Sequence, residues 1–400
     1  MKKIIFITYD SPYIDRRILL NAKIASNMGY QVDIVCPCAD CSVSYGDIGI
    51  INVFDNDNKN NIVHLKDRIK RFAPSWFFMF ARFCYKNLVN KGEHIPFKES
   101  MLEKVLASKA DIYVANDLIA LPAGVAAKKK FSAKLIYDAH EFYTEQVTLP
   151  KKARLLLAEM EHELIHEADK IITVNDDIAD LFTGRYGCSN INVIQNIVIC
   201  DKPSVLYLHD LIGLDKTTNI VLFQGGLIKN RNLKSLIHIA ARLHSAVVVI
   251  AGWGEKEKYL KKLAESMKIL DSKIFFVGKI SQNDLVAYAR SASLGLIPYA
   301  PVDTNTQYCT PNKLYEYICA EVPIIANTGL KTVERMIKTL DFGIAIDFCR
   351  YDEVANAIDE LVNDVDKLAK VKDNIRNNKE LFSYGMVEKV FIEIVKSLEI

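Results

Sequence analysis

No apolar run in this chain approaches the ~20 residues needed to cross a bilayer. The opening Met1-Lys-Lys-Ile-Ile-Phe-Ile-Thr8 holds too short an apolar core for a secretory leader. Charge of one sign is lacking as well. Lys and Arg number 51 against 49 Asp and Glu, a net +2, so no global field draws nucleic acid. No short-period repeat and no low-complexity stretch appears, which excludes solenoids and extended disorder. Nine cysteines are scattered over 400 residues with no paired framework, as expected in a reducing, cytoplasmic setting. What is present is ordinary globular material: half the residues are apolar and a quarter charged. This length has room for two or three domains and ample core.

Short apolar runs alternate with segments of helical period. Ile4 to Thr8 reads as a strand. Ile14 to Met28 follows with Ile18, Leu19, Ala22 and Ala25 on one face, and Gly29 stops it. The next strands are expected at Val32–Cys36, Ile112–Val114, Leu135–Tyr137, Ile171–Val174 and Ile191–Ile194. The pattern loosens from Gly187 to Pro203. A second series then runs through Asn219–Gln224, Ala246–Ala251, Ile274–Val277, Leu294–Ile297, Val322–Asn327 and Gly343–Ile346. This rhythm predicts α/β architecture: parallel sheets covered on both faces, in two halves with a boundary near residue 200. Val387 to Leu398 reads as a last amphipathic helix.

The most informative stretch is Thr310-Pro311-Asn312-Lys313-Leu314-Tyr315-Glu316. It reads as a helix start, with Thr310 as cap and Pro311 at the first helical position. The free N–H groups and positive dipole end of such a helix suit a diphosphate, and Lys313 adds a cation. Glu316 shares a face with Asn312, and a carboxylate there suits the two hydroxyls of a ribose. The strand Ser293–Tyr299 and a loop from Ala300 to Cys309 precede it. The motif therefore stands at a strand's carboxyl end, where open α/β sheets bind ligands. An ordinary capped helix with a surface Glu fits the same spacing.

Two further loops carry chemistry. In Gln224-Gly225-Gly226-Leu227-Ile228-Lys229-Asn230-Arg231 the paired glycines let backbone approach a ligand, and Arg231 is a phosphate candidate. Ala251-Gly252-Trp253-Gly254 gives a similar, weaker signal. In Phe276-Val277-Gly278-Lys279 the backbone of Val277, Gly278 and Lys279 suits a base edge. Near the start, Asp15-Arg16-Arg17 admits two readings: arginines that meet phosphate or an acidic acceptor, and a helix-start salt bridge.

Several signals compete. His162-Glu163-Leu164-Ile165-His166 matches the zinc-protease spacing. However, Ala153, Leu156, Leu157, Met160, Leu164 and Ala168 form the core face, which turns both histidines to solvent. Cys36-Pro37-Cys38-Ala39-Asp40-Cys41 has no obvious fourth ligand and the wrong spacing for a metal site. Asn175-Asp176-Asp177 fits a helix cap. Residues 66–91 group Trp76, Phe77, Phe78, Phe80 and Phe83 with Lys66, Arg68, Lys70, Arg71 and Arg82. Such a segment suits an anionic membrane surface and equally a core-packing helix with a basic flank.

Taken in order, these residues resemble the retaining GT-B glycosyltransferases of the group 1, family 4 kind. Pro311-Asn-Lys-Leu-Tyr-Glu316 resembles their Pro-Asn-Lys-Leu-Phe-Glu motif, and Pro323-Ile-Ile-Ala326 the strand after it. Phe223 to Leu233 is similar to their Tyr-Gln-Gly…Arg-Asn-Leu loop, and Asp138-Ala-His-Glu141 to their Asp-x-His-Glu turn. The resemblance implies a GT-B fold, two Rossmann-like domains facing a central cleft. Residues 1–200 would be the acceptor side and 201–380 the nucleotide-sugar side, with 381–400 a helix crossing back.

The resemblance also implies roles. Arg231 and Lys313 would hold the diphosphate, Glu316 the ribose, and Val277 to Lys279 the base, while His140 would sit near the transferred sugar. No metal or other cofactor is expected, and the acceptor would be a saccharide or lipid-linked saccharide. Tyr308 stands where many relatives carry a first Glu, and Gly226 where many carry Arg. Glu321 replaces a usual Gly. Two alternatives stay open: a GT-B epimerase acting on a nucleotide-sugar, and a degenerate nucleotide-sugar-binding module.

Overall fold

Runs rich in Ile and Val fold into two parallel sheets. The computed structural model describes residues 1–10, 13–39, 44–53, 99–189, 191–200 and 204–399. The first sheet contains β1 (Lys3–Ile7), β2 (Gln31–Cys36), β3 (Gly49–Asn52), β4 (Ile112–Asn116), β5 (Lys134–Ala139), β6 (Lys170–Thr173) and β7 (Ile191–Val193). Their spatial order is β3-β2-β1-β4-β5-β6-β7. The second contains β8 (Asn219–Gln224), β9 (Ala246–Ala251), β10 (Ile274–Gly278), β11 (Leu294–Ile297), β12 (Ile324–Asn327) and β13 (Gly343–Ile346). Its order is β10-β9-β8-β11-β12-β13. Every pairing is parallel. Both sheets share the doubly wound order of Rossmann domains, which reverses beside the first strand of each.

The central strands are buried on both faces, as unbroken apolar runs require. Four second-series strands, β8, β9, β11 and β13, fall on the expected residues. Strand β3 does not register in the sequence, because Gly49-Ile-Ile-Asn52 is a four-residue, half-buried edge. The chain divides into one unit of Met1–Gln195 with Glu388–Ile400, and a second of Asn196–Val387. The last helix, Tyr384–Ser397, therefore ends in the first unit. There Phe391 is fully buried, with its ring centroid 6.4 Å from that of Phe6.

Several expectations need correction. The stretch from Ala300 to Cys309, read as loop, contains the helix Thr304–Tyr308, capped by an Asp303 oxygen that accepts from the Thr306 amide at 2.6 Å. The cysteines, read as unpaired, include a Cys200–Cys319 disulfide within the second unit. A sequence separation of 119 leaves no local signature of it. His162 and His166 are both exposed, but His166 lies past the end of the helix Lys151–Leu164, on a following 3₁₀ turn. The core face of that helix includes Glu161, which accepts from the Tyr137 and Tyr186 hydroxyls at 2.6 Å each. Burial pushes its carboxyl up to about 7. Residues 66–91 and Cys41 lie outside the described residues. Among the described residues no His, Cys, Asp and Glu group could hold a metal ion, and no helix is long and apolar enough to cross a membrane.

Glu321 closes the helix Asn312–Ala320 in a left-handed conformation, φ 58°. Its carboxylate lies 2.9 Å from Arg376 and 2.8 Å from Lys379. A glycine there would remove a backbone cost of ~1 kcal/mol and lose two partly exposed pairs of ~0.2–1 kcal/mol each. Glu321→Gly is therefore expected to shift unfolding free energy by less than about 1 kcal/mol, as read by urea denaturation.

Candidate active site

The second unit's switch point lies between β8 and β11, neighbours in the sheet although 70 residues apart in the chain. Gln224 ends β8, Tyr299 lies two residues past β11, and the helix Asn312–Ala320 follows the short helix Thr304–Tyr308. Pro311, expected inside that helix, is its N-cap instead: its backbone is extended, and its carbonyl accepts from the Leu314 amide at 2.9 Å. Thr310 is buried one residue earlier, outside the N-cap position, and Pro311 makes no side-chain cap bond.

Lys313 is 5 % exposed. Its ammonium donates to the Tyr299 hydroxyl and lies 4.2 Å from the Tyr299 ring centroid and 4.8 Å from that of Phe223. The Arg231 guanidinium carbon lies 3.8 Å from the same Tyr299 centroid. Among the described residues neither cation has a carboxylate within ion-pair distance. Gly225 has φ 131°, and a Cβ there would come 3.1 Å from the Lys313 ammonium, so glycine makes room for that cation. Gly226 beside it is exposed.

Glu316 is also buried and accepts from Gln224 Nε2 at 2.6 Å. Gln224 Oε1 has no hydrogen-bond partner among the described residues. Asn312 is exposed at the first helical position. The base candidates Val277, Gly278 and Lys279 follow a register shift at the carboxyl end of β10, and Lys279 is exposed. Its ammonium lies 5.8 Å from the ring centroid of the exposed Trp253. The β8 and β9 loops interlock: Gly225 N–H donates to Ala251 O, and Leu227 N–H to Trp253 O, both at 2.9 Å. Tyr308, in place of a first Glu, receives a 2.9 Å hydrogen bond from the Lys331 ammonium.

The structure thus brings Gly225, Arg231 and Lys313 together, and joins Glu316 to β8. Sequence reasoning missed Gln224 as the partner of Glu316 and Tyr299 as the shared ring. The one available signal was position, since both stand at the ends of the two strands flanking the switch point.

In the first unit β1, β4 and β5 are adjacent, and their carboxyl ends carry Asp10, Asp117, Asp138 and His140. Arg17 is buried against Asp138, with Nη2 at 2.5 Å and Nε at 3.2 Å from its oxygens. Asn21 adds a 3.3 Å bond, and Arg17 also donates to the Ile194 carbonyl. The pair found is a long-range one with Asp138 on β5, not a salt bridge local to the helix start. His140 lies 3.6 Å from Asp117 through Nδ1 and 3.6 Å from Asp138 through Nε2. Its backbone N–H donates to Asp117 at 3.0 Å, and Asp117 sits at φ 61°. Burial opposes charge on His140, but the two carboxylates outweigh it and raise the imidazole to about 9. Burial alone would raise Asp138, yet Arg17 and His140 hold it well below the usual carboxylate range. At neutral pH the His140 imidazole is therefore held in its cationic form.

The chain thus holds two Rossmann-like units, and in the second Arg231 and Lys313 meet at Tyr299 beside the switch point. Residues 16–202 match the model of Glycosyltransferase Family 4, and residues 209–378 match that of Glycosyl transferases group 1. Together the matches take in most of the chain, which belongs to the GT-B glycosyltransferases. Among solved structures, HepE of Anabaena in complex with UDP-glucose is similar at a TM-score of 0.74 and 15% identity, covering 99% of this chain and 100% of that one. Sucrose-phosphate synthase from Thermosynechococcus elongatus gives 0.70 at 14% identity, covering 100% and 99%. WaaG, a glycosyltransferase involved in lipopolysaccharide biosynthesis, gives 0.61 at 14% identity, covering 99% of each. At these identities the likeness speaks to the fold. No curated protein matches the chain.

Proposed function

We propose that this chain is a retaining hexosyltransferase. It moves a sugar from a UDP-sugar to a saccharide or lipid-linked acceptor in surface polysaccharide synthesis. The observation that carries this reading is Lys313, a lysine 5 % exposed, without an ion pair among the described residues, and sharing one aromatic ring with Arg231. A buried cation lacking a counter-charge is costly, and an incoming diphosphate relieves that cost. The amino end of this helix, with Asn312 exposed in its first turn, adds its dipole. Glu316 and the free acceptor of Gln224 take the ribose hydroxyls, and the backbone of Val277 to Lys279 takes the base.

As the glycosidic bond breaks, negative charge grows on the diphosphate, and Arg231 and Lys313 meet it where it develops. Two fixed cations fill the role a divalent metal fills elsewhere, so the reaction needs no resident cofactor. Cationic His140, in the first unit, donates to a sugar or phosphate oxygen. UDP is chosen because HepE binds UDP-glucose, and polysaccharide synthesis because of WaaG. The enzyme works in the cytoplasm.

Thermal melts with UDP, GDP and their sugar conjugates test the binding step. UDP at ~100 times its Kd should add ~2.7 kcal/mol to the folded state. Labelled UDP-sugars then test the chemistry, with label expected on an acceptor or slowly released as free sugar. An altered free donor would make the protein an epimerase, and binding without turnover a binding module. No melting shift with any nucleotide would sink the reading outright.

A further inference from the structure

We infer that Tyr299 is the positioning residue of the diphosphate site, its ring seating Arg231 and Lys313 together so that both cations meet one anion. The inference rests on the nucleotide-sugar reading above. The two cations come from separate elements: Arg231 from the loop after β8, Lys313 from the helix that starts at Asn312. Like charges brought to one place repel, and the described residues hold no carboxylate paired with either. What they share is Tyr299. The guanidinium lies 3.8 Å and the ammonium 4.2 Å from its centroid, and the ammonium also donates to its hydroxyl. The negative face of an aromatic ring attracts cations, more strongly where water is excluded, and Tyr299 is 6 % exposed.

The backbone that carries the ring is anchored. The Tyr299 carbonyl accepts from Asn327 Nδ2 at 2.9 Å, and Asn327 Oδ1 accepts from the Phe348 amide at 2.9 Å. Tyr299, two residues past β11, is thereby tied to the end of β12 and to the chain just past β13. An arginine on a loop loses rotamer freedom when it grips a ligand. One already seated on this ring loses less on binding. Tyr299 thus acts on the anion only through its two neighbours.

Calorimetric titration with UDP, inorganic pyrophosphate and uridine reads this directly. Tyr299→Leu is expected to weaken UDP and pyrophosphate by about 10-fold and leave uridine unchanged. Tyr299→Phe keeps the ring and loses the hydroxyl, so it should weaken both anions by about threefold only. In the Tyr299→Leu background, Arg231→Gln should cost less than in the parent, because the two changes remove one shared contact. Where Tyr299→Leu melts early, the Phe variant carries the test alone, through pyrophosphate against uridine. Equal weakening of uridine and UDP, or no change in any of the three, would overturn the inference. A parent protein that binds UDP and pyrophosphate no better than uridine would overturn the diphosphate reading instead.

Discussion

Lys313→Met is expected to lower kcat/KM for sugar transfer by ~10²–10³-fold, while the melting temperature stays level or rises slightly. The two halves of this result have one cause. The ammonium is buried without an ion pair among the described residues and lies near the rings of Phe223 and Tyr299. Removing a desolvated charge relieves the folded state. A thioether fills the same aromatic slot with favourable sulfur–ring contacts. In catalysis the same charge is needed, because the leaving diphosphate gains negative charge there. Calorimetric melting beside initial rates separates the two effects. Full turnover in the variant, or early unfolding with activity per folded molecule preserved, would reduce Lys313 to a packing residue.

His140→Ala is expected to cost ~10²-fold in kcat, and the pH dependence of the parent should show why. His140 is raised to about 9 because Asp117 and Asp138 flank it, against the effect of burial. A donor must carry its proton, so kcat/KM should hold through neutral pH and fall as pH rises past about 9. Asp117→Asn removes one flanking anion, and the alkaline fall should then begin closer to neutrality. Stability follows the same sign. The folded value lies above the unfolded value of about 6.5. The contribution is therefore full below that pH and is lost as pH rises through about 9. Superimposable profiles for Asp117→Asn and the parent would remove His140 from the titration.

The strands were legible because burial on both faces makes Asn219–Gln224 or Ala246–Ala251 an unbroken apolar run that needs no partner to recognise. Arg231 stood out because it lies where a strand gives way to a helix, and Lys313 because Pro311 marks a helix start. Contacts between distant segments were not legible. Nothing near Asp138 announces Arg17, 121 residues away, and nothing near Glu316 announces Gln224, 92 residues away. The burial of Glu161 was not legible either, since the hydroxyls that satisfy it come from Tyr137 and Tyr186 on other elements. The Thr310 cap failed because Pro311 takes the extended backbone of an N-cap itself and shifts the helix by one residue.

The split of the chain at 195 and 388 has a consequence for biosynthesis. A ribosome delivers residues 196–387 as one uninterrupted piece, which holds its entire core and can close as soon as it emerges. Phe6 meets Phe391, and Tyr30 bonds Glu399, only after residues 196–387 have been made. A nascent chain that stopped at residue 387 would hold the whole second unit and a first unit still lacking Phe391 and Glu399.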